Sequence, residues 1–246
     1  MNMKMNLGFI ATLALSCSLC RSDAATISGS LSPDSMITPP PFETISFGFN
    51  YDESRRKVSD NGREIARLDL RSYAFFLGYD MSKWCTVFAT VGNSQARLLE
   101  NNDFGDGKVK WSIGVNANLW HTELEEPKIF YGRISIKPAL ELAQFNSTLD
   151  DETIKATDIS GTLLVAYEKV VEDPKYNITE FYGYTVYVGP IFSIINGTVN
   201  DDDFEESRNL GFVGGIDFFI THNFSLGGQI QLFDEMSFGG NVRYHF

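Results

Sequence analysis

The segment Val109-Lys-Trp-Ser-Ile-Gly-Val-Asn-Ala-Asn-Leu119 decides the fold. Successive side chains of an extended chain point to opposite faces, so Val109, Trp111, Ile113, Val115, Ala117 and Leu119 share one side. Lys110, Ser112, Gly114, Asn116 and Asn118 share the other. A strand of this kind needs an apolar medium on one face and a wet one on the other.

The same alternation recurs on both sides of it. Ile45, Phe47, Phe49 and Tyr51 oppose Thr44, Ser46, Gly48 and Asn50, and Ala66, Leu68, Leu70, Ala74 and Phe76 oppose Arg67, Asp69 and Arg71. Cys85, Val87, Ala89 and Val91 share a third apolar face. A fifth segment sets Phe130, Ile134, Ile136, Leu140 and Leu142 against Tyr131, Arg133, Ser135, Lys137 and Glu141. The remaining apolar faces carry Ile159 to Tyr167, Tyr182 to Phe192, Leu210 to Ile220, Phe224 to Leu232, and Phe238, Val242, Tyr244 and Phe246. No stretch has a convincing helical period, so the expectation is an all-β chain.

Alternation alone does not separate a membrane barrel from a soluble sandwich. Length does: the segments run to roughly 10–17 residues, against five or six for a typical sandwich strand and about 9–11 for a tilted membrane-spanning one. Aromatic residues cluster near both ends of the apolar faces, as at the two edges of a lipid band. The predicted fold is an antiparallel up-and-down transmembrane β-barrel of about 8–10 strands. The polar gaps Glu53–Arg63, Asn93–Gly107, Asn146–Thr157 and Gly197–Ser207 are long, and those between them shorter. That order places the long loops outside and both termini in the periplasm.

Three regions follow. Residues 1–24 read as a cleaved signal peptide, with Lys4, an apolar run from Leu7 to Leu19 and Ser22-Asp23-Ala24 at the cleavage site. Cys17 and Cys20 raise a lipoprotein alternative, but Ala14 and Leu19 depart from the residues it requires. Residues 25–41 read as a Ser/Pro-rich linker ending in three prolines, and residues 42–246 as the barrel. With two of three cysteines in the leader, Cys85 has no partner for an internal disulfide. A net charge of −12 argues against general nucleic-acid binding.

The chain end, Phe238-Gly-Gly-Asn-Val-Arg-Tyr-His-Phe246, resembles bacterial outer-membrane β-barrel proteins. Phe218-Phe-Ile-Thr-His-Asn-Phe-Ser-Leu-Gly-Gly and Tyr187-Val-Gly-Pro-Ile-Phe192 are similar to segments of that family. The resemblance implies an outer-membrane location in a Gram-negative-type bacterium, with Phe238, Val242, Tyr244 and Phe246 read as an assembly signal by the barrel-assembly machinery and periplasmic chaperones. It also implies a monomer surrounded by outer-membrane lipid. Proteases of this family carry Asp and His at the extracellular rim, whereas His121, His222 and His245 fall at expected periplasmic ends. The pair His222 and Ser225 is a weak hydrolase signal, and no phosphate loop or metal-ligand spacing is present in the sequence. The expectation is a non-enzyme without a cofactor.

Charged residues expected to line the lumen are Arg67, Asp69, Arg71, Lys110, Arg133, Lys137, Glu141, Glu168, Asp217 and Arg243. They read either as a self-neutralising plug or as the wall of a narrow porin for small polar solutes, with anions favoured by the basic excess. The run Asp201, Asp202, Asp203, Phe204, Glu205 and Glu206 is a candidate outer loop for divalent cations, although it lacks the spacing of an EF-hand. The functional expectation is a structural or surface-interaction role in the envelope. The alternatives are the porin and a soluble secreted β-sandwich adhesin.

Overall fold

The computed structural model describes residues 35–37, 45–60, 63–98, 104–124, 132–149, 152–171, 182–199 and 202–246. The expected signal peptide, and the linker apart from residues 35–37, lie outside them.

Among the described residues twelve strands form a single antiparallel sheet: β1 (Ile45–Asp60), β2 (Arg63–Ser82), β3 (Cys85–Leu98), β4 (Asp106–Ala117), β5 (Trp120–Leu124), β6 (Gly132–Leu149), β7 (Glu152–Val170), β8 (Gly183–Val199), β9 (Asp202–Glu206), β10 (Leu210–Phe219), β11 (Phe224–Leu232) and β12 (Met236–His245). β4 and β5 are two halves of one stave, both paired with β6, and β9 and β10 both pair with β8. The sheet closes because β12 lies along β1 from Ser46↔His245 to Glu53↔Phe238, giving a ten-stave barrel. The Phe246 amide donates to the Ile45 carbonyl at 2.9 Å, so the last residue completes the seam. Closure leaves no sheet edge and removes the sandwich alternative.

We call the end holding Ile45 and Phe246 the terminal end and the other the distal end. The gaps read as long outer loops are mostly strand. β1 runs on to Asp60 and β2 starts at Arg63, β6 and β7 meet across residues 150–151, and β8 and β9 across 200–201. Polar composition made these stretches read as loops, yet polar side chains suit a strand that has left the apolar layer. The β11–β12 hairpin stops short at residues 233–235, and β9 passes over it to pair with β1 through Val58↔Glu206 and Ser59↔Glu205.

The outer surface divides accordingly. Exposed apolar side chains ring the terminal two thirds, among them Phe47, Phe49, Phe75, Leu77, Ile113, Leu140, Leu163, Val188, Phe212 and Ile230. From Val109 to Leu119, at about 3.3 Å per residue and a tilt of about 40°, the belt is about 25 Å tall. Trp84, Tyr79 and Trp120 sit at its terminal edge, and Tyr51, Tyr73 and Trp111 at its distal edge, where the Trp111 indole N–H donates to Gln144 Oε1 at 3.1 Å.

Beyond the belt the two faces exchange chemistry. On β2, Tyr73, Phe75, Leu77 and Tyr79 are exposed and Ser72, Ala74 and Phe76 buried. Further along the same strand Leu68 and Leu70 are the inward residues and Arg67, Asp69 and Arg71 the outward ones. The parity of the strand is constant while its outward residues change from apolar to charged. Assigning one chemistry to each whole face therefore put Arg67, Asp69 and Arg71 in the lumen, and the structure reverses this. The β1 register, Phe47↔Leu77, Phe49↔Phe75 and Tyr51↔Tyr73, fixes the orientation by setting large apolar and aromatic side chains side by side on the outside.

Candidate functional site

The lumen is the site to which the barrel brings most of its buried polar groups, and it is filled. At the distal end Val58, Leu68, Leu70, Ala96, Phe145, Ile154, Ala156, Ile195 and Phe204 form an apolar core inside the staves. Leu164, Ala166, Tyr187, Ile191, Val213 and Phe233 form a second cluster, and Phe76, Phe88 and Ala139 a third. Between the apolar clusters lies a cavity of about 50 Å³ bordered by Asp52, Arg56, Ser72, Lys110, Asp158 and Ser193. It has room for a few water molecules.

Three charged groupings occupy the rest. Near the distal end Arg56 lies 3.0 Å from Glu206, donates to Gln231 Oε1 at 3.2 Å and stacks on Phe233 at 3.6 Å. The Ser193 hydroxyl donates to Glu206 at 2.8 Å or to Asp158 at 3.0 Å. Burial pushes the Glu206 carboxyl up to about 7, and the Arg56 charge opposes that rise. Midway, Arg243 faces the Phe76 ring at 4.7 Å among Asp52, Glu141 and Asp217. Glycine makes this group possible, because a Cβ on Gly227 would stand 1.7 Å from Asp217 Oδ1.

The third grouping is at the terminal end. Lys137 Nζ donates to Glu168 Oε1 at 2.5 Å, with both side chains shut off from solvent. The other Glu168 oxygen accepts from the Ser35 hydroxyl at 3.2 Å and the Met36 amide at 3.0 Å. Ile37 is buried against the Gly183 backbone, where a Cβ would come within 3.3 Å of it. Ser35–Ile37 is thus a strap within the barrel mouth, where the sequence had indicated only linker. Its residue types carry no signal for this position.

Of the ten expected lumen charges, Lys110, Arg133, Lys137, Glu141, Glu168, Asp217 and Arg243 lie on inward faces. Arg133 sits at the terminal rim, 2.9 Å from Glu123. Arg67, Asp69 and Arg71 are outside. Asp52, Arg56, Asp158 and Glu206, which fell in stretches read as loop or went unassigned, line the interior instead. With them included, acids are no longer outnumbered by bases, and the ground for an anion preference disappears.

The acidic run does not assemble as a cation loop. Residues 202–206 form β9, so side chains alternate: Glu206 and Phe204 are buried, while Asp203 and Glu205 are exposed. Asp201 lies outside the described residues, as does the Asp202 side chain. Among the described residues no three His, Cys, Asp or Glu side chains converge as metal ligands. His222 is exposed in the 220–223 turn while Ser225 is buried toward the lumen, and His245 packs against Phe219. Phe238, Val242, Tyr244 and Phe246 lie on the outer face of the closing strand, with Tyr244 stacked on Phe47 and Phe246 tilted against it.

No family model and no curated protein matches the chain. Among solved structures it is similar to an outer membrane channel from Pseudomonas putida F1, at 11% identity and a TM-score of 0.43 over 90% of this chain and 99% of that one. It is also similar to the beta domain of a Bordetella autotransporter, Brka, at 10% identity and a TM-score of 0.33 over 83% and 98% of the two chains. A third is the transport unit of the autotransporter AIDA-I from Escherichia coli, at 12% identity and a TM-score of 0.32 over 100% and 98%. At this distance the likeness transfers no activity.

Proposed function

We propose that this chain is a monomeric outer-membrane β-barrel with a structural or surface-interaction role in the cell envelope, its distal end facing outward and its lumen closed to solutes. The observation that carries this reading is the belt: exposed apolar side chains encircle a closed barrel over about 25 Å, bounded by aromatic rings, while charged residues lie within. In water such a surface far exceeds the few hundred Å² of contiguous apolar patch that soluble monomers tolerate. The apolar distal core and the strap favour a plug over a pore, because a conducting path needs a continuous wet lumen. The outward row of Phe238, Val242, Tyr244 and Phe246 is the surface we assign to the assembly machinery, and no catalytic role is proposed.

The test is expression of the whole chain in a Gram-negative host, followed by fractionation, comparison of boiled and unboiled gel mobility, and planar-bilayer recording. The expected result is a heat-modifiable outer-membrane protein that gives no conductance steps. Recovery as a soluble periplasmic protein would overturn the location, and regular unitary conductance would overturn the closed lumen.

A further inference from the structure

We propose that the outer face just beyond the distal edge of the belt is a binding site for the anionic phosphate headgroup of a surrounding lipid. The proposal rests on the membrane reading above. Arg55, Arg67, Arg71 and Arg97 converge there from β1, β2 and β3. Beneath them lie Glu53 and Asp69, at 0% and 1% side-chain exposure, so the carboxylates are covered while the guanidiniums, at 17–33%, form the surface. Asp69 accepts from Arg67 at 2.8 Å and from Arg97 at 2.5 Å, and Glu53 accepts from Arg71 at 3.5 Å. Glu235 adds one longer contact to Arg67, also at 3.5 Å.

Among the described residues these four guanidiniums face three carboxylates, Glu53, Asp69 and Glu235. The cluster is therefore cationic on a chain whose net charge is −12. It is also held in place: the Phe104 ring lies 4.1 Å from the Arg71 guanidinium and 4.6 Å from that of Arg97, which fixes both side chains before any ligand arrives. Depth selects the ligand. Arg71 follows Tyr73 on the same face, about 7 Å further along the strand, so its guanidinium stands at the level of headgroup phosphates when Tyr51 and Tyr73 mark the hydrocarbon edge, and Arg55 and Arg97, level with Asp69, stand about 7 Å further out. Forked guanidinium pairs suit a phosphomonoester, with its extra charge and oxygens, better than a zwitterionic phosphodiester.

The test uses the folded chain in vesicles of phosphatidylcholine doped with phosphatidic acid. Lipid retained after mild extraction is quantified by native mass spectrometry, with inorganic phosphate as a separate ligand. Phosphatidic acid should be enriched over phosphatidylcholine, and R71Q and R97Q should each lower that enrichment about fivefold, the equivalent of about 1 kcal/mol per surface cation. R55Q provides a second variant at the most exposed position should the others fail to fold, as judged by gel mobility. Insertion without enrichment, or enrichment unchanged in the variants, would overturn the headgroup site and leave the membrane reading intact. Binding of inorganic phosphate without lipid enrichment would overturn the lipid assignment. Failure to insert into phosphatidylcholine vesicles would overturn both readings.

Discussion

Replacing Lys137 by Met removes the charge from the buried pair at the terminal mouth while keeping an unbranched side chain of similar length. Glu168 would then retain two donors, the Ser35 hydroxyl and the Met36 amide, with its ionised oxygen shut away from water. Breaking a buried ion pair from one side typically costs about 3–5 kcal/mol, because the surviving charge keeps its desolvation penalty and loses its partner. Removing both charges while a glutamine carbonyl still accepts from Ser35 and Met36 leaves no such penalty, so the double variant K137M/E168Q should recover most of the loss. The assay is equilibrium unfolding in urea of the chain folded into lipid vesicles, followed by tryptophan fluorescence, with the two single variants and the double variant closing a cycle. A loss below about 0.5 kcal/mol for K137M, the level of an ordinary surface change, would refute the argument. It would mean that water reaches Glu168 and that the terminal mouth is open.

The interior at the other end responds to pH. Glu206 is buried and titrates near 7 in the folded chain against an ordinary value of 4.5, so the native state holds a proton that the unfolded chain releases. Its contribution is full below about pH 4.5 and is lost as pH rises through 7, by about 3 kcal/mol. Unfolding midpoints should fall between pH 5 and pH 8, and E206Q should flatten that slope even though Arg56, Asp158 and Asp234 around it remain; an equal slope in both proteins would contradict the assignment. Phe145→Ala in the distal core should cost about 3–5 kcal/mol in the same urea assay, whereas a loss below about 1 kcal/mol would show that this section is wet. Ile113→Arg near the middle of the belt should cost about 2–4 kcal/mol in vesicles, and Thr157→Arg, beyond the belt on the outer face of β7, should stay within about 0.5 kcal/mol. Equal effects of the two arginines would remove the boundary between them.

The barrel was legible in the sequence because a strand that crosses the apolar belt has one chemistry per face over the height of that belt, as from Val109 to Leu119. The same rule misled at Arg67, Asp69 and Arg71. Each face of β2 is apolar over part of its length, since Leu68 and Leu70 fill the distal core and Phe75 and Leu77 meet the belt. Alternation carries parity but not the height at which the surrounding solvent changes. That height is set by neighbouring strands, through pairs such as Phe49↔Phe75. Polar strand extensions such as Lys155↔Thr198 looked like loops for the same reason. The strap lay beyond any local pattern: Ser35 and Met36 acquire meaning only from Glu168, more than a hundred residues away.

The protein carries three tryptophans, Trp84, Trp111 and Trp120, and all three face outward at the edges of the belt. Their fluorescence in vesicles of brominated lipid is the most direct measure of what that surface touches. Strong quenching by bromine placed near the headgroup end of the acyl chain, with weak quenching by aqueous iodide, is the predicted result. Efficient quenching by iodide with none by bromine would contradict it.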